Sequence, residues 1–426
     1  MSNNDIFHID YARARDAACP LRSFRDEFLI PLHDGQQQAY FCGNSLGLQP
    51  YGARAHVEEV LDKWATQAVE GHFTGQAQWM PYHELLREPL AAIVGAKPHE
   101  VVAMNSLTAN LHLMMVSFYQ PTIERTAILI EAGSFPSDRY AVESQLKYRG
   151  LPPNITLIEV EPDLAGGVFS MDAIAKAIRD NASRLALVLW PGVQYRTGQA
   201  FDLKEITRLT HEAGAIVGFD LAHAVGNLDL ALHDSGADFA VWCHYKYMNA
   251  GPGAVAGCFV HERHAETTRP RFAGWWGNDQ SVRFKMGPEF NPTAGAEGWQ
   301  LSNPPILGLA PLRASVEQFQ RAGLQTLREK SRALTGYLER LIDAHLADAI
   351  DILTPRDTGQ RGAQLSLRVK AGRDAGRSLF DYLQSHGVLG DWREPDVIRI
   401  SPAPLYNNHE DVLRFAQAAK EWNDGR

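Results

Sequence analysis

Few residues in this sequence are placed to do covalent chemistry, and the most conspicuous is a lysine. Lys246 lies in HYKYMNAGPGAVAG (244–257), between Tyr245 and Tyr247 and directly ahead of a run of small residues. A lysine amine becomes a nucleophile only after losing its proton, and burial among other groups favours that loss. Three other stretches carry polar groups of complementary kind. GFDLAHAVGN supplies Asp220 and His223, GSFPSD supplies Phe135, Ser137 and Asp138, and NSLTANLH supplies Leu107 and Thr108. The small residues after the lysine let backbones approach closely. They match neither GxGxxG nor GxxxxGK[ST], so a dinucleotide or nucleoside triphosphate fingerprint is absent.

A lysine, a carboxylate following a separate strand, an aromatic loop and a helix start suited to phosphate are the parts of a pyridoxal 5'-phosphate (PLP) site. The lysine forms the Schiff base, the carboxylate of Asp220 keeps the pyridine nitrogen protonated, and donors near Thr108 hold the phosphate. Each residue also has a plainer reading. A lone lysine is usually a solvated surface group, and an aspartate after a strand commonly caps the next helix. Phe135 could be core, Thr108 a structural cap and His223 a satisfied histidine. Their joint occurrence favours the cofactor.

The elements that must position them are legible as alternating patterns. YGARAHVEEVLDKWATQAV (51–69) has apolar residues at helical spacing, and a second helix is expected over Tyr82 to Val94. VVAM (101–104), AILIEA (127–132), LALVLW (185–190), AIVGFD (215–220), FAVWC (239–243) and AVAGCFV (254–260) read as buried strands of a mostly parallel sheet. The expected fold is α/β, a large domain with helices flanking that sheet plus a smaller α+β domain. Asp220 and His244–Lys246 then stand at strand ends, where open α/β sheets gather ligands. After Pro304 and Pro305 one long amphipathic stretch runs from Leu309 through His345, followed by the alternating runs QLSLRVK (364–370) and VIRIS (397–401). The organisation expected is an N-terminal segment, 1–57, packing with the small domain, a large domain over 58–306 and a small domain over 307–426.

Composition narrows the class. The chain has 426 residues, 45% hydrophobic and 21% charged, with a net charge of −9. An acidic globular chain gives no electrostatic reason to expect nucleic acid or an anionic membrane as partner. Cys19, Cys42, Cys243 and Cys258 form no CxxC pair, which argues against a disulfide scaffold or a structural zinc site. No metal is expected. MSNNDIFHIDYARARD lacks the apolar stretch of a secretory signal, so a cytoplasmic location is expected.

Eight motifs along the chain resemble the kynureninases, PLP enzymes of the aspartate aminotransferase fold (fold type I). They are FCGNSLGLQP (41–50), NSLTANLHLM (105–114), GSFPSDRYA (133–141), GFDLAHAVGN (218–227), HYKYMNAGPGAVAG (244–257), GWWG (274–277), SNPPI (302–306) and IRISPAPLYN (398–407). The resemblance implies that Lys246 carries the cofactor and then moves protons at the substrate α-carbon. It implies that Asp220 pairs with the pyridine nitrogen, that Phe135 stacks on the ring, and that Asp138 and His223 complete its polar surroundings. Tyr245, Leu107 and Thr108 are implied as phosphate and cofactor contacts, with Tyr245 also a candidate proton donor. Trp275 and Asn303 are implied to reach the phosphate from the neighbouring subunit of a homodimer.

By the same resemblance Arg399 binds the substrate α-carboxylate, for which a guanidinium fork is suited. His72, Ser302 and Asn303 are implied to line the aromatic end, a combination associated with the ring-hydroxylated substrate. Pro191 falls where some relatives place a serine, and offers no donor. The implied reaction is hydrolysis of L-kynurenine or 3-hydroxy-L-kynurenine to anthranilate or 3-hydroxyanthranilate plus L-alanine. Two alternatives remain at this stage: another fold type I enzyme, such as a class V aminotransferase or a cysteine desulfurase, and a non-catalytic PLP binder. A desulfurase needs a reactive cysteine well downstream of the lysine, and no cysteine follows Cys258.

Overall fold

A computed structural model describes residues 6–426. The first five residues of the stretch read above for a secretory signal, and of the 1–57 segment, lie outside the described residues.

The apolar runs fold as β1 (Val101–Ala103), β2 (Ala127–Glu131), β3 (Leu157–Val160), β4 (Leu185–Pro191), β5 (Ile216–Asp220), β6 (Phe239–Trp242) and β7 (Gly257–Val260). They form one seven-stranded sheet in the order β1-β7-β6-β5-β4-β2-β3. Neighbours from β6 through β3 are parallel, and β7 runs antiparallel to both β6 and β1. β3 has no counterpart among the expected strands. It lies at the sheet edge with most of LIEV only partly buried, so it lacks the continuous apolar signature of a central parallel strand.

The helices are α1 (Ile9–Ala17), α2 (Tyr51–Gln67), α3 (Arg87–Val94), α4 (Leu107–Phe118), α5 (Pro136–Tyr148), α6 (Met171–Asp180), α7 (Leu203–Glu212), α8 (Ile306–Ala322), α9 (Leu324–His345), α10 (Arg373–Ser385) and α11 (His409–Asp424). The period-2 alternation of strands sends neighbouring side chains to opposite faces. Ile128, Ile130, Leu187 and Leu189 join α4 and α5 in one core, and Leu129, Val188 and Trp190 join α3, α6, α7 and α8 in another. Both faces are thereby covered, as a parallel sheet requires.

The amphipathic stretch expected from Leu309 through His345 is two helices. Gly323, at φ +75, breaks it between α8 and α9, a backbone conformation glycine adopts without a Cβ penalty. Leu309, Leu312, Val316 and Phe319 of α8 belong to the large-sheet core. A second sheet follows, with β8 (Ile350–Ile352), β9 (Leu365–Val369), β10 (Asp391–Arg393) and β11 (Val397–Ile400) antiparallel throughout in the order β8-β9-β11-β10. Its core gathers Leu338, Leu341, Leu367, Leu379, Ile398 and Phe415. The N-terminal residues divide between the two cores: Ala12, Ala39 and Phe41 pack with the small sheet, Leu21, Phe28 and Leu48 with the large one. Asp16 accepts from the backbone N–H groups of His409 and Glu410 at the start of α11 (2.8 and 3.1 Å), where the helix dipole favours a carboxylate. Among the described residues, no helix is long and apolar enough to cross a membrane.

The small residues after Lys246 serve turns and sheet packing. Gly251 and Gly253, at φ +91 and +68, turn the chain in open space, and a Cβ on Gly257 would stand 2.1 Å from the Trp242 indole. The close approach is made from elsewhere: a Cβ on Gly47 would stand 2.5 Å from the Lys246 carbonyl oxygen, so FCGNSLG packs against the lysine turn.

Candidate active site

The carboxyl ends of β2, β4, β5 and β6 open onto one cavity of about 120 Å³. Eight of the residues singled out in the sequence line it: Leu107, Thr108, Phe135, Asp138, Asp220, His223, Tyr245 and Lys246. Glu131, Ser137, Pro191, Val193, Tyr195 and Ala222 complete the wall.

Lys246 is not a solvated lysine; it is 9% exposed. Its Nζ lies 3.0 Å from His223 Nε2 and 5.8 Å from the centroids of both the Phe135 and Tyr245 rings. Burial, with Lys246 and Arg399 nearby, holds the His223 imidazole well below its ordinary pKa. It is therefore neutral and shares a hydrogen bond with the lysine, while its buried Nδ1 has no partner among the described residues.

Asp220 ends β5 and accepts the Ala222 N–H at Oδ1 (2.7 Å) within a turn, so it does not cap a helix. Burial raises both Asp220 and its neighbour Asp138, but the two are driven apart. The Ala222 N–H, the Lys246 ammonium and the Asp138 hydrogen bond draw Asp220 down, whereas the charges of Asp220 and Glu131 push Asp138 further up. The pair behaves like other facing carboxyls, with one member keeping the proton. Of the two, Asp138 is pushed further toward the protonated form and Asp220 is the one left closer to the charged form. Glu131 is also driven upward by burial and by Asp220, and Gln194 Nε2 donates to it at 3.4 Å.

Two helix starts meet at the opposite end. Ser106 precedes α4 and Phe135 precedes α5, placing Leu107 and Thr108 in the first turn of one and Ser137 in the first turn of the other. Thr108 Oγ1 and Ser137 Oγ are 2.7 Å apart. Free N–H groups and hydroxyls at paired helix N-termini suit a phosphate. Phe135 is 40% exposed and meets Tyr195 edge-on, centroids 5.3 Å apart, so it is a wall of the cavity and not plain core. Burial pushes the Tyr245 phenol above its ordinary value, which keeps it a donor at neutral pH.

These residues fit PLP. The cavity offers a buried amine, a carboxylate, an aromatic face and a phosphate-suited pair of helix starts. Asp138 Oδ1, His223 Nδ1 and Glu131 Oε2 are each buried without a partner among the described residues, a state native interiors rarely leave unfilled.

Arg399 on β11 is fully buried. Its Nη1 donates to the carbonyl of Tyr195, a cavity residue, at 2.8 Å, and its Nη2 to Ser45 Oγ at 3.0 Å and Asp391 Oδ2 at 2.6 Å. Arg399 itself is not among the lining residues, and the remaining predicted residues also lie outside the cavity of a single chain. His72 bonds the Val69 carbonyl and meets Trp79 edge-on. Ser302 and Asn303 are exposed, and Trp275, 41% exposed, donates to the Arg283 carbonyl. Glu131, Tyr195, Ser45 and Asp391 had no sequence signal beyond a charge closing an apolar strand in the first case. They are assembled by topology. A distant group, Glu100, His233 and His261, brings ligand-type atoms within 4.8 Å. Glu100 is already engaged there by His233 and by the backbone N–H groups of Lys97 and Glu262.

The kynureninase C-terminal domain family matches residues 327–419. A kynureninase of Xanthomonas campestris pv. campestris (strain B100) is 66% identical over 412 residues, 97% of each chain. One of Stenotrophomonas maltophilia (strain K279a) is 62% identical over 420 residues, 98% of this chain and 99% of that one. Solved structures share the fold at low identity. The apo cysteine desulfurase of Thermococcus onnurineus NA1 superposes with a TM-score of 0.74 at 18% identity, covering 97% of this chain and 98% of its own. A C-DES mutant with glycine covalently linked to its PLP cofactor gives 0.74 at 19%, covering 90% and 96%. These solved structures thus share the scaffold, while sequence similarity along nearly the whole length places the chain in the kynureninase family.

Proposed function

We propose that this chain is a PLP-dependent hydrolase that cleaves the Cβ–Cγ bond of L-kynurenine or 3-hydroxy-L-kynurenine, releasing L-alanine with anthranilate or 3-hydroxyanthranilate. The observation that carries this reading is the buried Lys246 side chain, with Nζ 3.0 Å from His223 Nε2, in one cavity with Asp220. Bound PLP supplies an electron sink for negative charge developing at the substrate α-carbon.

The chain's residues divide the remaining work. Lys246 would hold the cofactor through its amine and would move the proton at the substrate α-carbon, with His223 Nε2 within hydrogen-bond reach of its Nζ. Asp220 holds a negative charge against the pyridine nitrogen, and the protonated Asp138 keeps that carboxylate in place. Phe135 covers one face of the ring. The first-turn N–H groups of Leu107 and Thr108, with the Thr108 and Tyr245 hydroxyls, hold the phosphate. Tyr245, kept protonated by burial, is also placed to give a proton to the carbon released when the bond breaks. Arg399 binds the α-carboxylate.

His72, Ser302, Asn303 and Trp275 act from a second copy of the chain, Ser302 and Asn303 with His72 at the aromatic end of the substrate, Trp275 and Asn303 at the phosphate. Supporting this are exposed apolar side chains beside them: Trp64, Leu307 and Trp275 are 60, 43 and 41% exposed, and a groove over Val60, Trp64, Trp79 and Pro305–Gly308 adjoins them. Patches of this kind on a soluble protein mark association sites. A cytoplasmic homodimer is the form we propose. Product release from kynurenine and 3-hydroxykynurenine, measured side by side, tests the reading. Release of neither anthranilate from kynurenine nor 3-hydroxyanthranilate from 3-hydroxykynurenine would overturn it, and a clear kcat/KM advantage for kynurenine would remove the preference for the hydroxylated substrate that His72, Ser302 and Asn303 suggest.

A further inference from the structure

The Arg399 guanidinium is not alone on its sheet face. β10 and β11 pair antiparallel with Asp391 opposite Arg399, and Arg393, two residues along, projects to the same side. Arg393 spans both Asp391 oxygens, Nε 3.0 Å from Oδ1 and Nη2 3.1 Å from Oδ2. Arg399 touches the same carboxylate with Nη2, at 2.6 Å, and neither arginine's buried Nε has a hydrogen-bond partner among the described residues. The cluster therefore holds two guanidinium groups against one carboxylate, Arg399 by the shorter hydrogen bond and Arg393 lying across both oxygens, so one positive charge is in excess.

We propose that Arg393 is a positioning residue for substrate binding. It neutralises Asp391, so that Asp391 can orient Arg399 without cancelling its charge, and the uncompensated positive charge is left for the substrate α-carboxylate. The inference rests on the carboxylate role proposed for Arg399. Without Arg393 the internal carboxylate would compete with the substrate's for the same guanidinium, in a buried setting where charge interactions are poorly screened. Ser45, whose hydroxyl lies between Asp391 and both arginines, fixes the arrangement from the N-terminal segment.

A set of variants separates this role from a structural one. Arg393→Gln should raise KM for L-kynurenine by about tenfold or more, the size of one lost charge contact, with kcat within about twofold. Arg393→Lys should recover most of the loss. The double variant Arg393→Gln/Asp391→Asn should return KM to within about threefold of the parent, because the competing carboxylate is gone. Inhibition by the decarboxylated analogue of kynurenine should be unchanged throughout. The proposal is overturned if Arg393→Gln leaves KM unaltered, if the double variant binds no better than Arg393→Gln, or if Arg393→Gln weakens the decarboxylated analogue equally. Should Arg393→Gln fail to fold, the Arg393→Lys and Asp391→Asn variants decide the matter: Asp391→Asn, with Arg393 intact, must not raise KM more than Arg393→Lys does. Arg399→Ala is the control for the underlying reading, since an unchanged KM there would remove the carboxylate role itself.

Discussion

Asp220→Asn removes one charge from the site and little else. The amide is isosteric with the carboxylate, and its oxygen can still accept the Ala222 N–H now made at 2.7 Å. What disappears is the negative charge facing the proposed position of the cofactor's pyridine nitrogen. An opposite charge at that range shifts a pKa by about 1–3 units, or about 1.4–4 kcal/mol of differential stabilisation. Expressed in the transition state, that is a loss of roughly 10- to 1000-fold in kcat. The structure narrows the figure. Asp138 is kept neutral by burial and by the charge of Asp220, so deleting that charge lets Asp138 ionise more readily and replace part of it. Asp220→Asn should therefore fall in the lower half of the range, about 10- to 100-fold. Asp220→Asn/Asp138→Asn should lose more than the two single effects combined, with a coupling of about 1 kcal/mol or more. The assay is anthranilate fluorescence under saturating kynurenine, with cofactor absorbance confirming equal occupancy. A fully loaded Asp220→Asn enzyme that keeps kcat within about threefold would refute the charge argument. Strict additivity with Asp138→Asn would refute the shared proton.

Three further outcomes follow from particular contacts. Lys246→Ala should abolish turnover, and borohydride treatment should no longer add the cofactor's mass to the chain; a cofactor still covalently trapped would point to another amine. Co-expressing Lys246→Ala with Asn303→Ala should restore about a quarter of parental activity, because half the random pairs are hybrids with one intact site in a C2 dimer. No recovery, with both variants dimeric, would place Asn303 in its own chain's site. Asp238 is raised by burial but held well below its ordinary range by His211 (2.9 Å), His264 (2.8 Å), the Val217 N–H and Arg263. Its folded pKa is depressed, so its stabilisation is complete above the unfolded carboxylate value of about 4 and is lost as pH falls toward the folded one. Asp238→Asn should lower Tm at pH 7 by several degrees, and the gap to the parent should close below about pH 4; a gap independent of pH would contradict this.

What the sequence determined by itself was local and periodic. Apolar runs with branched residues became β1, β2 and β4–β7 because burial on both faces of a parallel sheet demands an unbroken apolar run. β3 stayed hidden because an edge strand need not have one. Polar residues directly after those runs, Asp220 and Lys246 above all, had to stand at strand ends, and the motifs around them carried the resemblance that named the chemistry. The sequence could not show that Leu309 through His345 is interrupted. Gly323 looks like any helical glycine until its φ of +75 is seen. Nor could it show that the small residues after Lys246 turn the chain and admit Trp242.

The tertiary structure alone decided how groups far apart in the chain share one environment. Ser45, Asp391, Arg393 and Arg399 come together only because β10 and β11 pair in one register and the N-terminal segment folds across them. The ionisation of Asp138 and Asp220 likewise cannot be read from residue type. Both are aspartates, and which one keeps the proton depends on the Ala222 N–H, the Lys246 charge and the depth of burial. Those quantities exist only once the strands have brought their ends to one cavity.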